Sequence, residues 1–144
     1  IDFIEQQSEY SIDFVLAPQV TSPLRHAADF SDAIAQIKAN GVDSLLSVAE
    51  VEDFFIWKQR DGENPQSVNY DYKDRRPRQQ IEKTYIENGS FYLFKPQVLI
   101  NDNNRLGGNI SLFVMDRYKM FQIDNVEDIE LSSVIMKGFN LNKV

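Results

Sequence analysis

Apolar residues repeat first with the spacing of a strand and then with the spacing of a helix. Residues 13–17 form a short apolar run that ends at a proline, as is typical of a buried parallel strand. Between His26 and the helix-stop signal Asn40-Gly41, apolar side chains recur on one helix face. Residues 43–49 form a second apolar run. Strand, helix and strand in this order predict a βαβ unit and therefore a parallel sheet.

The remaining chain continues this pattern with less regularity. Residues 54–58, 90–94 and 110–115 are predicted strands, a short helix begins at Pro96, and residues 126–137 form a terminal helix. In the terminal helix, Leu131, Val134, Ile135 and Gly138 lie on one face. Residues 1–144 are therefore predicted to form one α/β domain, with a mostly parallel sheet flanked by helices.

Composition and charge limit the functions open to this domain. The net charge is −7, which argues against broad nucleic-acid binding but leaves room for a nucleotide site with a few local cations. Cysteine is absent and there is one histidine, which excludes disulfides, thiolate chemistry and a zinc site built from His and Cys. No apolar run approaches the ~18 residues of a membrane span. Since no apolar leader opens the chain, we expect a cytoplasmic protein.

The loop after the first predicted strand is the first candidate site. It carries Gln19, Thr21, Ser22 and Arg25, and it follows the carboxyl end of a predicted parallel strand, where open α/β sheets bind ligands. An ordinary βα turn built on Ser-Pro explains the same residues. The spacing alone leaves both interpretations open.

The second candidate is a basic stretch that overlaps the segment 64–78. That segment is polar, contains two prolines and shows no period, which predicts a long loop. Arginine side chains suit carboxylate or phosphate groups, so the stretch could bind an anion, or it could pair with the acidic surface of the protein. Its basic residues are Lys73, Arg75, Arg76, Arg78 and Lys83.

The third candidate is Asp124, which lies between a strand-like piece and the terminal helix. A carboxylate at a strand end can hold Mg²⁺. Asp is also a preferred residue for capping the amino end of a helix, and the spacing alone favours this second interpretation.

Several segments together resemble the acylneuraminate (CMP-sialic acid) cytidylyltransferases. Residues 16–25, Leu-Ala-Pro-Gln-Val-Thr-Ser-Pro-Leu-Arg, are similar to the motif L-Q-P-T-S-P-L-R, and residues 43–48 to the D-S-x-x-S-V strand that follows it. Residues 76–80 and 88–92 resemble the pair R-R-Q-x-x-P and N-G-A-I-Y. Residues 107–124 resemble the closing stretch, which ends in I-D before an acidic helix. The order and spacing of these motifs cover nearly the whole chain.

The resemblance implies a fold, a reaction and partners. The fold would be a Rossmann-like α/β fold of the nucleotide-diphospho-sugar transferase type, in a homodimer, and residues 54–108 would include the dimerisation and sugar-pocket excursion. The reaction would transfer CMP from CTP to a sialic-acid-like nonulosonic acid, with release of pyrophosphate and with Mg²⁺ as cofactor. Neither nucleic acid nor a membrane is implied as a partner.

The resemblance also implies roles for individual residues. Asp124 would bind the metal, and Arg78 would face the anionic sugar, so these two would carry the catalysis. Tyr92 would line the sugar pocket, and Gln19 would contact the sugar or the nucleotide. The full set of implied substrate-binding residues is Gln19, Thr21, Ser22, Arg78, Asn88 and Tyr92.

Two departures from the family pattern qualify this expectation. Gln122 stands where some members carry a second metal-binding aspartate. The Gly-rich phosphate loop near the family's amino terminus has no counterpart, so the chain is interpreted as the C-terminal part of a cytidylyltransferase and is expected to be inactive in isolation. The alternative is a non-catalytic sugar-binding or dimerisation module that keeps this half of the fold.

Overall fold

Strands and helices alternate along most of the chain. The computed structural model describes residues 1, 6, 11–52, 54–75, 77, 80 and 82–141. The described elements are β1 (Val15–Pro18), α1 (Ala27–Asn40), β2 (Ser44–Val51), β3 (Trp57–Lys58), β4 (Gln66–Ser67), β5 (Thr84–Phe94), α2 (Pro96–Asp102), β6 (Ile110–Met115), a 3₁₀ helix (Arg117–Met120) and α3 (Val126–Gly138). The chain is therefore α/β, as predicted.

The described central sheet has four strands in the order β1-β5-β2-β6. β1 and β2 are each antiparallel to β5, whereas β2 is parallel to β6. The prediction of a mostly parallel sheet is therefore wrong for the strand pairings, although β1, β2 and β6 run in the same direction. The physical reason is the central position of β5, whose residues 88–94 are all buried. This strand lies between β1 and β2 and runs antiparallel to both, so that they do not pair with each other.

Apolar side chains cover both faces of the sheet. On one face, Ile37 of α1 packs in the same cluster as Phe91, and the ring of Phe30 meets Phe91 edge-on with 5.1 Å between ring centres. On the other face, Val98 of α2 packs in a cluster with Phe94. Because full burial of such a side chain contributes about 1.5–3 kcal/mol, these layers make the sheet a firm support for the loops at its ends.

Residues 57–67 form a small hairpin outside the central sheet. β3 pairs with β4 through Trp57 and Ser67, so the predicted strand 54–58 is shorter than expected and the predicted loop 64–78 contains a strand. Aromatic contacts explain why this polar stretch is ordered. The indole nitrogen of Trp57 donates a hydrogen bond to the Tyr70 hydroxyl at 2.8 Å, and the rings of Phe55 and Tyr70 are 4.4 Å apart.

The terminal helix α3 presents a different face to the core from the one predicted. Leu131 and Val134 are 44% and 63% exposed, whereas Ser132 is buried. The predicted face with Leu131 and Val134 is therefore not the one that packs on the core. The end of the helix is held instead by a stacked pair of rings, Tyr118 and Phe139, with centres 3.7 Å apart. Within the described ranges, no helix is long and apolar enough to cross a membrane.

A carboxylate network joins the start of β2 to the loop before β6. Asp43 accepts a hydrogen bond from Lys95 Nζ at 2.8 Å and another from the Asn109 backbone N–H at 2.9 Å. Gly108 has a φ of 60°, and a Cβ there would lie 2.5 Å from Asp43 Oδ2. Hydrogen bonding from Lys95, followed by that from Asn109, lowers the pKa of Asp43 below its ordinary value of 3.8.

We expect an NMR pH titration to show this depressed pKa, and Lys95→Met to move it back towards 3.8. Because the pKa is lower in the folded protein, this carboxylate stabilises the fold above its unfolded pKa. That contribution is lost as the pH falls through the folded pKa. Lys83→Met, which removes a different surface ion pair with Glu50, is the control and should leave the Asp43 titration unchanged. An Asp43 that titrates at its ordinary value in the unaltered protein would contradict the prediction.

Candidate functional site

The predicted motif segments meet at one end of the central sheet. β1 ends at Pro18, opposite Phe91, and the next backbone N–H, from Gln19, donates to the Ser90 carbonyl at 3.0 Å. The backbone N–H of Ile123 donates to the Thr21 carbonyl at 2.7 Å. The loop after β1, the middle of β5 and the segment before α3 therefore lie side by side, at the carboxyl end of β1.

Arg25 fixes the shape of the loop after β1. Its Nη1 donates to the carbonyl oxygens of Gln19, Ser22 and Ser90 at 3.1, 2.7 and 2.9 Å. Burial lowers the pKa of Arg25, an effect that the nearby charge of Asp29 opposes. The group nevertheless stays charged, since an arginine titrates far above neutral pH. The structure thus gives Arg25 a positioning role in the first candidate loop.

Ser22 and Asn88 are buried in the framework beneath this loop. The Ser22 hydroxyl donates to the Asn88 carbonyl at 3.2 Å, and the Asn88 side-chain oxygen accepts the Ser90 N–H at 3.1 Å. Ser22 is 1% exposed and Asn88 is fully buried. Their side chains therefore hold the loop and β5 together rather than opening onto the surface, while Thr21, which precedes Ser22 in the chain, is exposed.

Two side-chain amides converge over Gly89. A Cβ placed on this glycine would lie 2.6 Å from Gln19 Oε1 and 2.8 Å from Gln122 Oε1. The absence of a side chain at Gly89 therefore leaves room for both amides. Each amide offers donors and an acceptor, a combination that suits the hydroxyl and amide groups of a sugar.

We expect Gly89→Ala to weaken both the fold and the binding of such a ligand. Gly89 has a φ of 62°, so alanine costs about 1–2 kcal/mol of backbone strain, and its methyl displaces Gln19 and Gln122. Loss of hydrogen bonds of about 1 kcal/mol each corresponds to roughly a tenfold weaker apparent affinity for the sugar. Thermal unfolding and sugar binding would be measured together.

Gly41→Ala is the matched control for this substitution. Gly41 has a φ of 65° at the end of α1, and a Cβ there meets nothing within 4 Å. It should therefore lose comparable stability and keep its affinity for the sugar. Equal sugar affinity in the two alanine variants would show that the space over Gly89 is unimportant.

Tyr92 lies on the face of the sheet opposite α1, paired with Ala17 of β1. Its hydroxyl donates a hydrogen bond to Glu87, and the guanidinium carbon of Arg105 lies 4.0 Å from the ring centre. Tyr92 is 5% exposed. The predicted sugar-pocket tyrosine is thus held in one orientation by two oppositely charged side chains. Arg105 was not among the residues that the sequence singled out, because a lone arginine in a Gly/Asn-rich loop carries no spacing signal.

Asp124 is exposed and does not cap α3. The capping residue is Asn125, and the Asp128 carboxylate accepts the N–H groups of both Asp124 and Asn125 at 2.9 and 3.0 Å. The interpretation of Asp124 as the cap is therefore wrong. Its own carboxylate has no hydrogen bond or ion pair with the residues that the structure describes, so it is available to a ligand.

The donor set near Asp124 fits one type of metal binding. The described residues contain no group of three or more His, Asp and Glu side chains that could hold a metal ion. Mg²⁺ commonly binds through one or two carboxylates and fills its other positions with water and substrate phosphate oxygens. A single free carboxylate at Asp124, with the neutral Gln122 nearby in sequence, is compatible with that arrangement.

A buried ion pair supports the segment that carries Gln122 and Asp124. Lys119 Nζ lies 2.8 Å from Asp29 Oδ1 and 3.2 Å from Asp116 Oδ2, and the Lys119 side chain is only 4% exposed. Burial acts most strongly on the pKa of Lys119 and lowers it. Hydrogen bonding and charge attraction from Asp29 and Asp116 together outweigh burial, so the pKa is raised. No local pattern predicts the pairing of Lys119 with Asp29, because the two residues are 90 positions apart along the chain.

The basic stretch is only partly described. Arg76 and Arg78 lie outside the described residues, so the predicted role of Arg78 stays a prediction. The guanidinium of Arg75 lies 4.5 Å from the ring centre of Phe55, and Lys83 pairs with Glu50 at 3.0 Å. Arg75 also lines a cavity of 470 Å³ beside the hairpin. These groups do not join Gln19 and Asp124 in the described structure.

The chain resembles known cytidylyltransferases over most of its length. No protein-family model matches it. It is 30% identical to the N-acylneuraminate cytidylyltransferase A of Danio rerio over 126 residues, which are 85% of this chain and 28% of that protein. It is 24% identical to the pseudaminic acid cytidylyltransferase of Campylobacter jejuni over 143 residues, which are 95% of this chain and 59% of that protein. The homologues are thus cytidylyltransferases, as the motifs predicted.

A third relative has a different name but matches a similar length of the chain. Post-translational flagellin modification protein B of Campylobacter coli is 26% identical over 140 residues, which are 95% of this chain and 58% of that protein. The chain therefore spans less than two thirds of the length of each of these relatives. Relatives that are cytidylyltransferases thus match this chain over part of their own length, and the resemblance predicted from its motifs is confirmed.

Proposed function

We propose that the gene product carrying this chain transfers CMP from CTP to a sialic-acid-like nonulosonic acid and releases pyrophosphate. The observation that supports this most is the convergence of the motif segments at one end of the sheet. There Gln19 lies beside Gly89, and Ile123, next to Asp124, is hydrogen-bonded to the loop at Thr21. Polar amides for a sugar and a free carboxylate for a metal thus lie on adjoining segments.

In the proposed reaction, the anomeric hydroxyl oxygen of the sugar forms a bond to the α-phosphorus of CTP. The bond from that phosphorus to the pyrophosphate oxygen breaks, and the hydroxyl proton is released. Such chemistry depends mainly on positioning and on neutralising phosphate charge. We propose Asp124 as the protein ligand of Mg²⁺, which when bound supplies that neutralising charge.

Roles for the remaining predicted residues follow from their surroundings. Gln19 and Thr21 are accessible enough to contact the sugar or the nucleotide, and Tyr92 would form one wall of the sugar pocket. Ser22 and Asn88 would act by positioning that loop, because their side chains are buried and bonded within the protein. Arg78 keeps its proposed role towards the anionic sugar on the resemblance alone.

The proposal includes a homodimer formed through the excursion within residues 54–108. Exposed apolar side chains on the hairpin and in the segment after it support this dimer, since Trp57, Val68 and Tyr72 are 46%, 53% and 53% exposed. Exposed apolar groups gathered on one projecting segment are typical of an interaction surface.

A non-catalytic sugar-binding or dimerisation module is the second candidate. The observation that favours it is the pair of side-chain amides, from Gln19 and Gln122, that converge over Gly89. Under this function the amides over Gly89 would bind a sugar without any nucleotide.

Pyrophosphate release by the gene product that carries this chain tests the two functions. The assay would contain CTP, Mg²⁺ and a panel of neuraminic, legionaminic and pseudaminic acids, with omission of the sugar as the control. We expect release with at least one sugar and none without sugar. A folded protein that binds a sugar but releases no pyrophosphate with any acid of the panel would favour the binding module.

A further inference from the structure

Arg105 is a positively charged residue beside Tyr92 to which the resemblance gives no role. Its guanidinium carbon lies 4.0 Å from the centre of the Tyr92 ring, in cation–π geometry. Its backbone N–H is held by the Asn104 side chain at 2.7 Å, which fixes the loop around it. The side chain is thus placed by its contact with the Tyr92 ring and by a backbone hydrogen bond, although the residue is exposed.

The guanidinium N–H groups of Arg105 are unpaired among the residues that the structure describes. In the part of the chain that the structure describes, it forms no side-chain hydrogen bond and no ion pair. Glu87 binds the hydroxyl of the same tyrosine, yet Arg105 and Glu87 do not pair with one another. By contrast, Arg25 is bonded to three carbonyl oxygens. A guanidinium held by a ring face keeps its N–H groups free in its own plane, where they can donate hydrogen bonds to a planar anion.

We propose that Arg105 binds the carboxylate of the nonulosonic acid and so selects acidic sugars. This inference rests on the proposed function. The planar fork of arginine matches a carboxylate with two parallel hydrogen bonds. The triphosphate is the other anion of the reaction, and the free carboxylate of Asp124 offers it a metal on a different segment. If the triphosphate binds near Asp124, the carboxylate of the sugar is the anion that remains for Arg105 beside Tyr92.

The test compares Arg105→Met with the unaltered protein in two assays. Steady-state pyrophosphate release gives KM for the sugar acid and for CTP. Calorimetric titration gives the affinity for N-acetylneuraminic acid and for its methyl ester, with no need for turnover. We expect Arg105→Met to raise KM for the sugar acid and to weaken its binding by roughly tenfold or more. This is the effect of losing one charge-assisted pair of hydrogen bonds. KM for CTP should stay within about twofold of the unaltered value, because the substitution removes no proposed contact with CTP.

Three further measurements make the outcome specific. The methyl ester, which lacks the charge, should bind equally to both proteins, and Arg105→Lys should fall between them because it keeps the charge and loses the fork. Lys38→Met, which removes an exposed positive charge at the end of α1, should change neither affinity. An unchanged affinity for the acid, or a loss that falls on CTP instead, would overturn the proposal.

The proposal and the proposed function fail in distinguishable ways. If the unaltered protein binds the acid through Arg105 but releases no pyrophosphate with any sugar, carboxylate recognition is supported and the transferase is not. If pyrophosphate is released but Arg105→Met behaves like the unaltered protein, the transferase is supported and Arg105 has no part in recognising its substrate.

Discussion

Replacing Lys119 by methionine is expected to lower the free energy of unfolding by about 3–5 kcal/mol, as for other broken buried ion pairs. Lys119 is 3% exposed and is hydrogen-bonded to both oxygens of Asp29, at 2.8 and 3.1 Å. Asp29 also accepts the backbone N–H of His26 at 2.6 Å and so helps to start α1. Methionine would fill the space and leave the Asp29 carboxylate buried without its counter-ion. Urea unfolding followed by circular dichroism measures the loss.

A second variant distinguishes lost charge from lost packing. Asp29→Asn combined with Lys119→Met removes both charges, so it should be more stable than Lys119→Met alone. Lys137→Met, in the exposed last turn of α3, is the control and should cost less than about 1 kcal/mol. A loss below about 1 kcal/mol for Lys119→Met would mean that the pair contributes no more than a surface ion pair.

Asp124→Asn is expected to reduce pyrophosphate release by about a hundredfold or more, with little change in stability. The magnitude is that of losing one group that stabilises charge in the transition state. Stability should hold because the carboxylate is exposed and unpaired among the described residues, while Asp128 forms the capping hydrogen bonds. The measurement is release at several Mg²⁺ concentrations, since a lost metal ligand also raises the Mg²⁺ requirement.

Glu127→Gln is the matched control for this prediction. Glu127 is an exposed acid in the first turn of α3, close to Asp124 in sequence, and it has no place in the proposed site. It should keep nearly full activity. If Asp124→Asn also kept more than about half of its activity, well short of the loss expected of a metal ligand, the metal would have to bind elsewhere.

Local signals in the sequence predicted several elements of the fold. Asn40-Gly41 does end α1, Pro96 does begin α2, and residues 110–115 do form β6, because these signals act through the backbone near them. The first part of β5 was missed. Its residues 84–87 are mostly polar and become a strand only because β2 pairs with them. Tertiary pairing of this kind is invisible to a periodic pattern.

The packing of α3 is a second feature that the sequence pattern did not predict. Leu131 and Val134 share one face of the helix in the sequence, but the side that packs on the core is that of Ser132. A helix with apolar residues on several sides does not specify which side packs.

Only part of the candidate site followed from the residues alone. The loop with Gln19 was correctly expected at the end of a strand, and the motifs linked it to Tyr92 and Asp124. The approach of Gln122 to Gly89 and the stacking of Arg105 on Tyr92 depend on how distant segments pack. Spacing along the chain does not predict contacts between distant segments, so only the three-dimensional structure shows them.

The central position of β5 bears on how this chain folds as it is made. β1 and β2 emerge from the ribosome first, together with α1, but in the sheet each pairs with β5, so that Val15 and Ser44 both lie opposite Phe94. A nascent chain that has reached only residue 83 therefore exposes two apolar strands whose common partner has not been synthesised. Closure of the sheet depends on contacts between distant parts of the sequence, which slows folding and lengthens the time during which those strand edges can associate with other chains.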